Sequence, residues 1–135
     1  MASALFPNLG LQEALKLAIG KATNPVTTFR LFQNDFVPDS TTTLDDFVEA
    51  NFAGYLPATV AAAAFGDPVQ SSPAWVSSVP PLDWSSSDPT PQTVYGVYAQ
   101  SNDGTLFFCA VFDAPITLNM GDSMEVDATV QCWPR

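Results

Sequence analysis

Asn102-Asp103-Gly104 stands between two runs of strand-forming residues, TVYGVYAQS at 93–101 and TLFFCAVF at 105–112. A short Asn/Asp/Gly connection between β-branched and aromatic runs is the strongest local signal for a β-hairpin, because these residues accept the backbone angles a tight reversal needs. A lone hairpin is marginal in water, so the rest of the chain must supply more strands and a second layer. The run LFFCAVF is apolar at consecutive positions. It therefore reads as a central strand covered on both faces, or as a strand at a subunit interface.

The remaining chain supplies such strands. VTTFRLFQ at 26–33 is rich in β-branched and aromatic residues, and Asn34-Asp35 and Pro38-Asp39-Ser40 close it with turn chemistry. PATVAAAAF at 57–65 is short and flanked by Pro and Gly, which favours a strand over a helix. The tract 66–92 carries Pro68, Pro73, Pro80, Pro81, Pro89 and Pro91, which exclude a central strand over much of its length. It also contains Trp75, Val76, Val79, Leu82 and Trp84, and so reads as edge strands and an ordered surface loop. After Asp113-Ala114-Pro115 come Ile116-Thr117-Leu118 and a turn at 119–122. Met124, Val126, Ala128, Val130 and Cys132 then alternate with Glu125, Asp127, Thr129, Gln131 and Trp133, giving one buried face and one wet one. About seven or eight short strands without strand–helix alternation predict an all-β fold, an antiparallel β-sandwich or jelly roll.

Two helices accompany it. At 9–19, Leu11, Ala14, Leu15, Ala18 and Ile19 recur at helical spacing, with Gln12, Glu13 and Lys16 opposite, Asn8 as cap and Gly20 as stop. This amphipathic helix is too short to stand alone and must dock on the body or on another subunit. Residues 1–24 thus form an N-terminal helical arm, separated by Asn24-Pro25 from a sandwich domain at 25–135. The second helix is predicted at 43–50, capped by Thr43, with Asp45 and Asp46 in its first turn and Leu44, Phe47 and Val48 buried.

Charge and composition narrow the function. The formal net charge is −10, and Lys16, Lys21, Arg30 and Arg135 are the only basic residues, which excludes nucleic-acid binding by clustered cations. The chain lacks His, and with it the usual catalytic triads and most zinc chemistry. No apolar run approaches the ~20 residues of a membrane span, and the N-terminus lacks a basic leader, so a cytosolic folding compartment and reduced Cys109 and Cys132 are expected. Pairing of 105–112 with 124–133 would place Cys109 opposite a residue near Ala128 and not opposite Cys132, which disfavours a disulfide between them.

The carboxylates also have simpler roles. Asp45, Asp46 and Glu49, or Asp83 and Asp88 beside Trp84, could serve glycoside hydrolysis, but capping and surface solvation explain them first. Asp35, Asp39, Asp45 and Asp46 match no EF-hand spacing. No catalytic residue, metal or cofactor is expected. Trp75, Trp84 and Asp83 form a possible platform for a carbohydrate, because an aromatic face can stack on a sugar.

The stretch TTFRLFQNDFVPDSTTTLDDFVEANFAGY at 27–55 resembles a pattern of small structural proteins of tailed bacteriophages. Its carriers are Arg30-Leu31-Phe32-Gln33-Asn34, Asp46-Phe47-Val48-Glu49-Ala50, Phe52 and Gly54-Tyr55. Tyr95-Gly96-Val97-Tyr98, Phe112 to Ile116, Gly121 to Met124 and LKLAIGKATN are similar too. The resemblance implies a virion component assembled in the host cytoplasm, such as a capsid decoration or cement protein. Its partners would be the major capsid protein or other virion proteins, with a homotrimer favoured by analogy. Leu11, Leu15, Ile19, Phe107 and Phe108 are the expected assembly residues. The alternative is a carbohydrate- or receptor-binding module of the tail or fibre periphery.

Overall fold

A computed structural model describes residues 7–19, 26–72 and 74–132. The chain runs α1 (Asn8–Ala18), β1 (Val26–Phe32), β2 (Ala58–Ala61), β3 (Val69–Ser71), β4 (Ala74–Ser78), β5 (Leu82–Ser85), β6 (Gln92–Gln100), β7 (Leu106–Leu118), β8 (Ser123–Val126) and β9 (Thr129–Cys132). One sheet has the order β2-β1-β6-β7; opposite it lie β3-β4-β9 and the pair β5-β8, all antiparallel. This is the all-β antiparallel sandwich read from the strand pattern.

The second layer is one kinked ribbon. β4 and β5 flank Pro80-Pro81, and their partners β9 and β8 flank Asp127-Ala128; the Val79 N–H donates across the kink to the Ala128 carbonyl (3.0 Å). The alternating run expected at 124–133 keeps its faces at Met124 and Val126, buried, and Glu125 and Asp127, exposed, but the kink splits it into two strands; Trp133 lies outside the described residues. Residues 57–65 likewise yield a strand of four residues followed by a 3-10 turn at Ala62–Ala64.

Between the layers, Phe29, Leu31, Val94, Val97, Ala99 and Phe108 from the four-stranded sheet meet Val79, Leu82, Trp84, Met124 and Val126. Full burial of each large side chain contributes about 1.5–3 kcal/mol. The reverse face of that sheet is also covered: Phe32, Tyr98, Leu106 and Cys109 pack against Phe36, Leu44 and Phe47, with the Phe47 and Tyr98 rings stacked at 4.4 Å. Both faces of LFFCAVF are therefore occupied within the chain. The strand is nevertheless an edge strand and not a central one, and Ala110 is half-buried.

β7 pairs with β6 through the hairpin, not with β9 as the cysteine register required. Cys109 is buried and stands opposite Tyr98, whereas the Cys132 backbone pairs with Trp75 in the other layer. The hairpin forms as read: Asp103 accepts hydrogen bonds from the Ser101 hydroxyl and from the Thr105 N–H (3.0 Å), and Gly104 takes φ 86°. β7 also bulges. Phe112, Asp113, Ala114 and Pro115 stand opposite the single Tyr95, so the Asp-Ala-Pro break lies inside one long strand.

The helix expected at 43–50 contracts to a 3-10 turn, Leu44–Asp46. Asp46 caps it by accepting the Thr43 N–H (2.8 Å). The Asn34 side chain then takes over the backbone: its amide donates to the Asp46 carbonyl (2.8 Å) and its carbonyl accepts the Val48 N–H (2.8 Å). Residues 47–50 run extended beside β1, with Gln33 N–H to Val48 O at 2.8 Å and Ala50 N–H to Leu31 O at 2.9 Å. Those sheet-like bonds replace the helical ones that propensity alone would favour.

Candidate functional site

The helix α1 begins after Pro7, which occupies the cap position with φ −63° and ψ 167°; Asn8, the expected cap, is the first helical residue. Pro7 suits this place because its carbonyl accepts the Leu11 N–H (2.9 Å) and its missing N–H has no helical partner to lose. The Asn8 N–H donates to Ser40 O (2.9 Å), which fixes the helix start to the segment covering the reverse face of the sheet. Gly20, the expected stop, lies outside the described residues.

α1 packs against β7, but not through the stripe that its amphipathic pattern favours. Its buried residues are Gly10 and Glu13, with Ala14 and Leu17 half-buried; Leu11, Leu15 and Ile19 remain 55%, 62% and 61% exposed. Gly10 explains the choice. A Cβ built there would stand 1.8 Å from the Phe107 carbonyl oxygen, so only glycine lets the helix come this close to β7. Glu13 is carried inward to 2% exposure, and its Oε2 has no hydrogen-bond partner among the described residues, an arrangement that costs free energy. Periodicity shows that an apolar stripe exists; it does not show the close approach that turns a different face inward. The spacing of Gly10, Ala14 and Leu17 at i, i+4 and i+7 was the available signal.

The other expected assembly residues divide. Phe108 is buried in the core, its ring edge-on to Phe29 at 5.7 Å, and Phe107 is half-buried under α1. Both belong to this chain's own packing. With Leu17, Phe65, Ala62 and Val130 they line an apolar cleft of about 300 Å³ between α1 and the sandwich.

The possible sugar platform does not assemble. Trp84 is 3% exposed and its Nε1–H donates to the Leu56 carbonyl (2.9 Å), so it is a core residue. Asp83, its neighbour on β5, points to the opposite face by strand alternation and lies exposed, opposite Glu125 on β8. Trp75 stays 52% exposed on β4, in the other part of the layer.

Three carboxylates crowd at the β5–β8 edge. Asp127, then Asp83, raises the Glu125 pKa by repulsion, while all three side chains are exposed. Glu125 and Asp127 rim a groove floored by Phe112, Ile116 and Val126. Elsewhere, Glu49 is engaged by Arg30 Nη1 (2.8 Å) and by the Tyr55 hydroxyl (2.9 Å), whose oxygen accepts the Leu31 N–H (3.1 Å). This network staples residues 49–55 to β1. Asp39 accepts from Thr41, and Asp88 accepts from Ala53 and Thr90, which holds both carboxyls below their ordinary pKa. Among the described residues, no three acidic, Cys or His side chains are arranged to hold a metal ion. No helix of the described residues is long and apolar enough to cross a membrane.

The geometry thus offers one exposed apolar helix face, held in a fixed orientation by backbone contact. Comparison with protein-family models, curated proteins and solved structures finds no match to this chain.

Proposed function

We propose that this chain is a non-enzymatic structural subunit of a tailed-bacteriophage virion, acting by protein–protein contact as a capsid decoration or cement protein. The observation that carries the proposal is the outward face of α1. A sandwich whose own core is closed still presents Leu11, Leu15 and Ile19 to solvent on a helix that Gly10 lets lie close against β7 by its opposite face. An apolar face of this kind marks a contact surface. The resemblance of 27–55 to phage structural proteins supports the same reading: those residues build the Arg30–Glu49–Tyr55 staple and the Asn34 clamp, which are devices of stability and not of chemistry.

The partners would be the major capsid protein or other virion proteins, and the chain would assemble in the host cytoplasm before joining the particle. The test is co-sedimentation of the purified protein with particles of the encoding phage from which it has been stripped. Saturable binding is expected, weakened by Leu11→Asp. Failure of the wild-type protein to bind any particle component contradicts the proposal. Trp75 alone keeps the receptor-binding reading open to trial, because it is exposed on a strand where an aromatic can stack on a sugar. Quenching of tryptophan emission by a glycan, lost in Trp75→Ala, would favour that reading.

A further inference from the structure

We infer that the groove between β7 and β8 receives an extended, cationic segment of another protein, which adds a strand to the edge of β8 and lays its apolar side chains on the groove floor. This surface shares no residue with the outward face of α1. The inference goes beyond the contact proposed above and stands without it.

Two sheet edges meet at this groove. Among the described residues β7 is the last strand of the four-stranded sheet and β8 pairs with β5 alone, so each has one partner and one open side. The groove measures about 370 Å³; Phe112, Ile116 and Val126 form its floor, and Glu125 and Asp127 its rim. The register shows which backbone groups of β8 face the open side. Ser86 N–H donates to Asp122 O (2.8 Å), and bonded and non-bonded positions alternate along an antiparallel pair. Trp84/Met124 and Leu82/Val126 are then bonded pairs, and Glu125, opposite Asp83, turns its N–H and C=O away from β5. β7 is the poorer template, because Pro115 has no N–H and the bulge at 112–115 interrupts its edge. A strand added beside β8 would point alternate side chains inward to Phe112 and Ile116 and the others outward beside the carboxylates.

Charge selects the occupant. Asp83, Glu125 and Asp127 are all exposed, and repulsion by Asp127, then by Asp83, raises the Glu125 pKa above its ordinary value of 4.5. The cations among the described residues serve other carboxylates, since Arg30 bonds Glu49 at 2.8 Å and Lys16 lies toward Asp103. A second copy fits poorly, because each chain carries net −10. A segment with lysine or arginine at alternate positions relieves the repulsion and pairs across the strand with Glu125.

The experiment is an NMR titration of the isotope-labelled full chain with an amidated hexapeptide of alternating lysine and valine. Saturable amide shifts confined to 112–116 and 123–127 are expected. A peptide of alternating lysine and serine, equal in charge but without an apolar face, should bind at least about tenfold more weakly. The double variant Glu125→Gln/Asp127→Asn should weaken the lysine–valine peptide by at least about threefold at low salt. Asp35→Asn/Asp45→Asn removes the same charge from exposed carboxylates elsewhere and should stay close to wild type. Equal losses in the two double variants would reduce binding to net charge and overturn the inference. Absent shifts, or shifts outside the groove, overturn it too. Groove shifts that follow protein concentration without peptide would give the groove to a second copy, again against the inference. None of these outcomes bears on α1, whose face is tested separately by binding to stripped particles.

Discussion

Gly10 sets two physical tendencies against each other. Alanine is the better helix former by about 1 kcal/mol. Its Cβ, however, would meet the Phe107 carbonyl at 1.8 Å, and backbone cannot yield as a flexible side chain can. The clash wins, so Gly10→Ala is expected to lower stability by about 1–3 kcal/mol in urea unfolding, with faster hydrogen exchange along α1; a higher midpoint would show that α1 does not sit on β7. Trp84 poses a simpler case. Trp84→Phe keeps an aromatic in the core but leaves the Leu56 carbonyl without its 2.9 Å donor, a loss of about 1–3 kcal/mol by thermal or chemical unfolding. Cys109 and Tyr98 act through alkaline pH. Burial pushes both groups up to about 12 in the fold, from ordinary values of 9.0 and 10.0. Their contribution is complete below pH 9 and is lost as pH rises toward 12, because the unfolded chain releases protons that the folded chain retains. The thermal midpoint should fall across that window, and a thiol reagent should leave Cys109 unmodified until the protein unfolds.

Among the elements, the β6–β7 hairpin is the most legible in the sequence, because its signal is local. Asp103 both reads as a turn residue and performs as one. The Ser101 hydroxyl first, then the Thr105 backbone and the more distant Lys16 charge, hold its carboxyl down to about 2. A depressed carboxylate stabilises above its unfolded value of 3.8, and the effect disappears as pH falls from 3.8 to 2. Asp103→Asn should therefore flatten the acid limb of the stability–pH curve, and an unchanged limb would deny the turn this role. The 43–50 segment is the opposite case. Thr43, Leu44, Asp46 and Phe47 carry helical signals, but Asn34 and β1 compete for the same backbone, and no periodicity in 43–50 registers a partner over ten residues away. α1 was legible as a helix and illegible in orientation. Its two faces, Leu11/Leu15/Ile19 and Gly10/Ala14/Leu17, are both apolar, and the choice between them depends on a carbonyl at residue 107.

At the scale of the whole molecule, alternation reveals which side of a strand is buried but not which strand lies next to it. Met124 and Val126 were correctly placed inward, while the pairing of their strand with β5, and of β9 with β4, depends on the Pro80-Pro81 kink and the Asp127-Ala128 break acting together. The same limit set Cys109 near Ala128 and joined Trp75 with Trp84 in one platform, which the structure separates. It also concealed the β7 bulge, since the Asp113-Ala114-Pro115 sequence reads as an end of strand and folds as an interruption within one. The result is a sandwich closed on itself, with an acidic exterior and one neutral apolar helix face. On the proposed function, this face holds the chain in a virion. The most direct measurement is a cryo-EM map of the encoding phage, with the sandwich fitted to unassigned density. Many symmetry-related copies on the particle, each with the Leu11–Leu15 face of α1 buried in a contact, are the expected result. Virions that lack the chain, or that hold it with that face open to solvent, would contradict the claim.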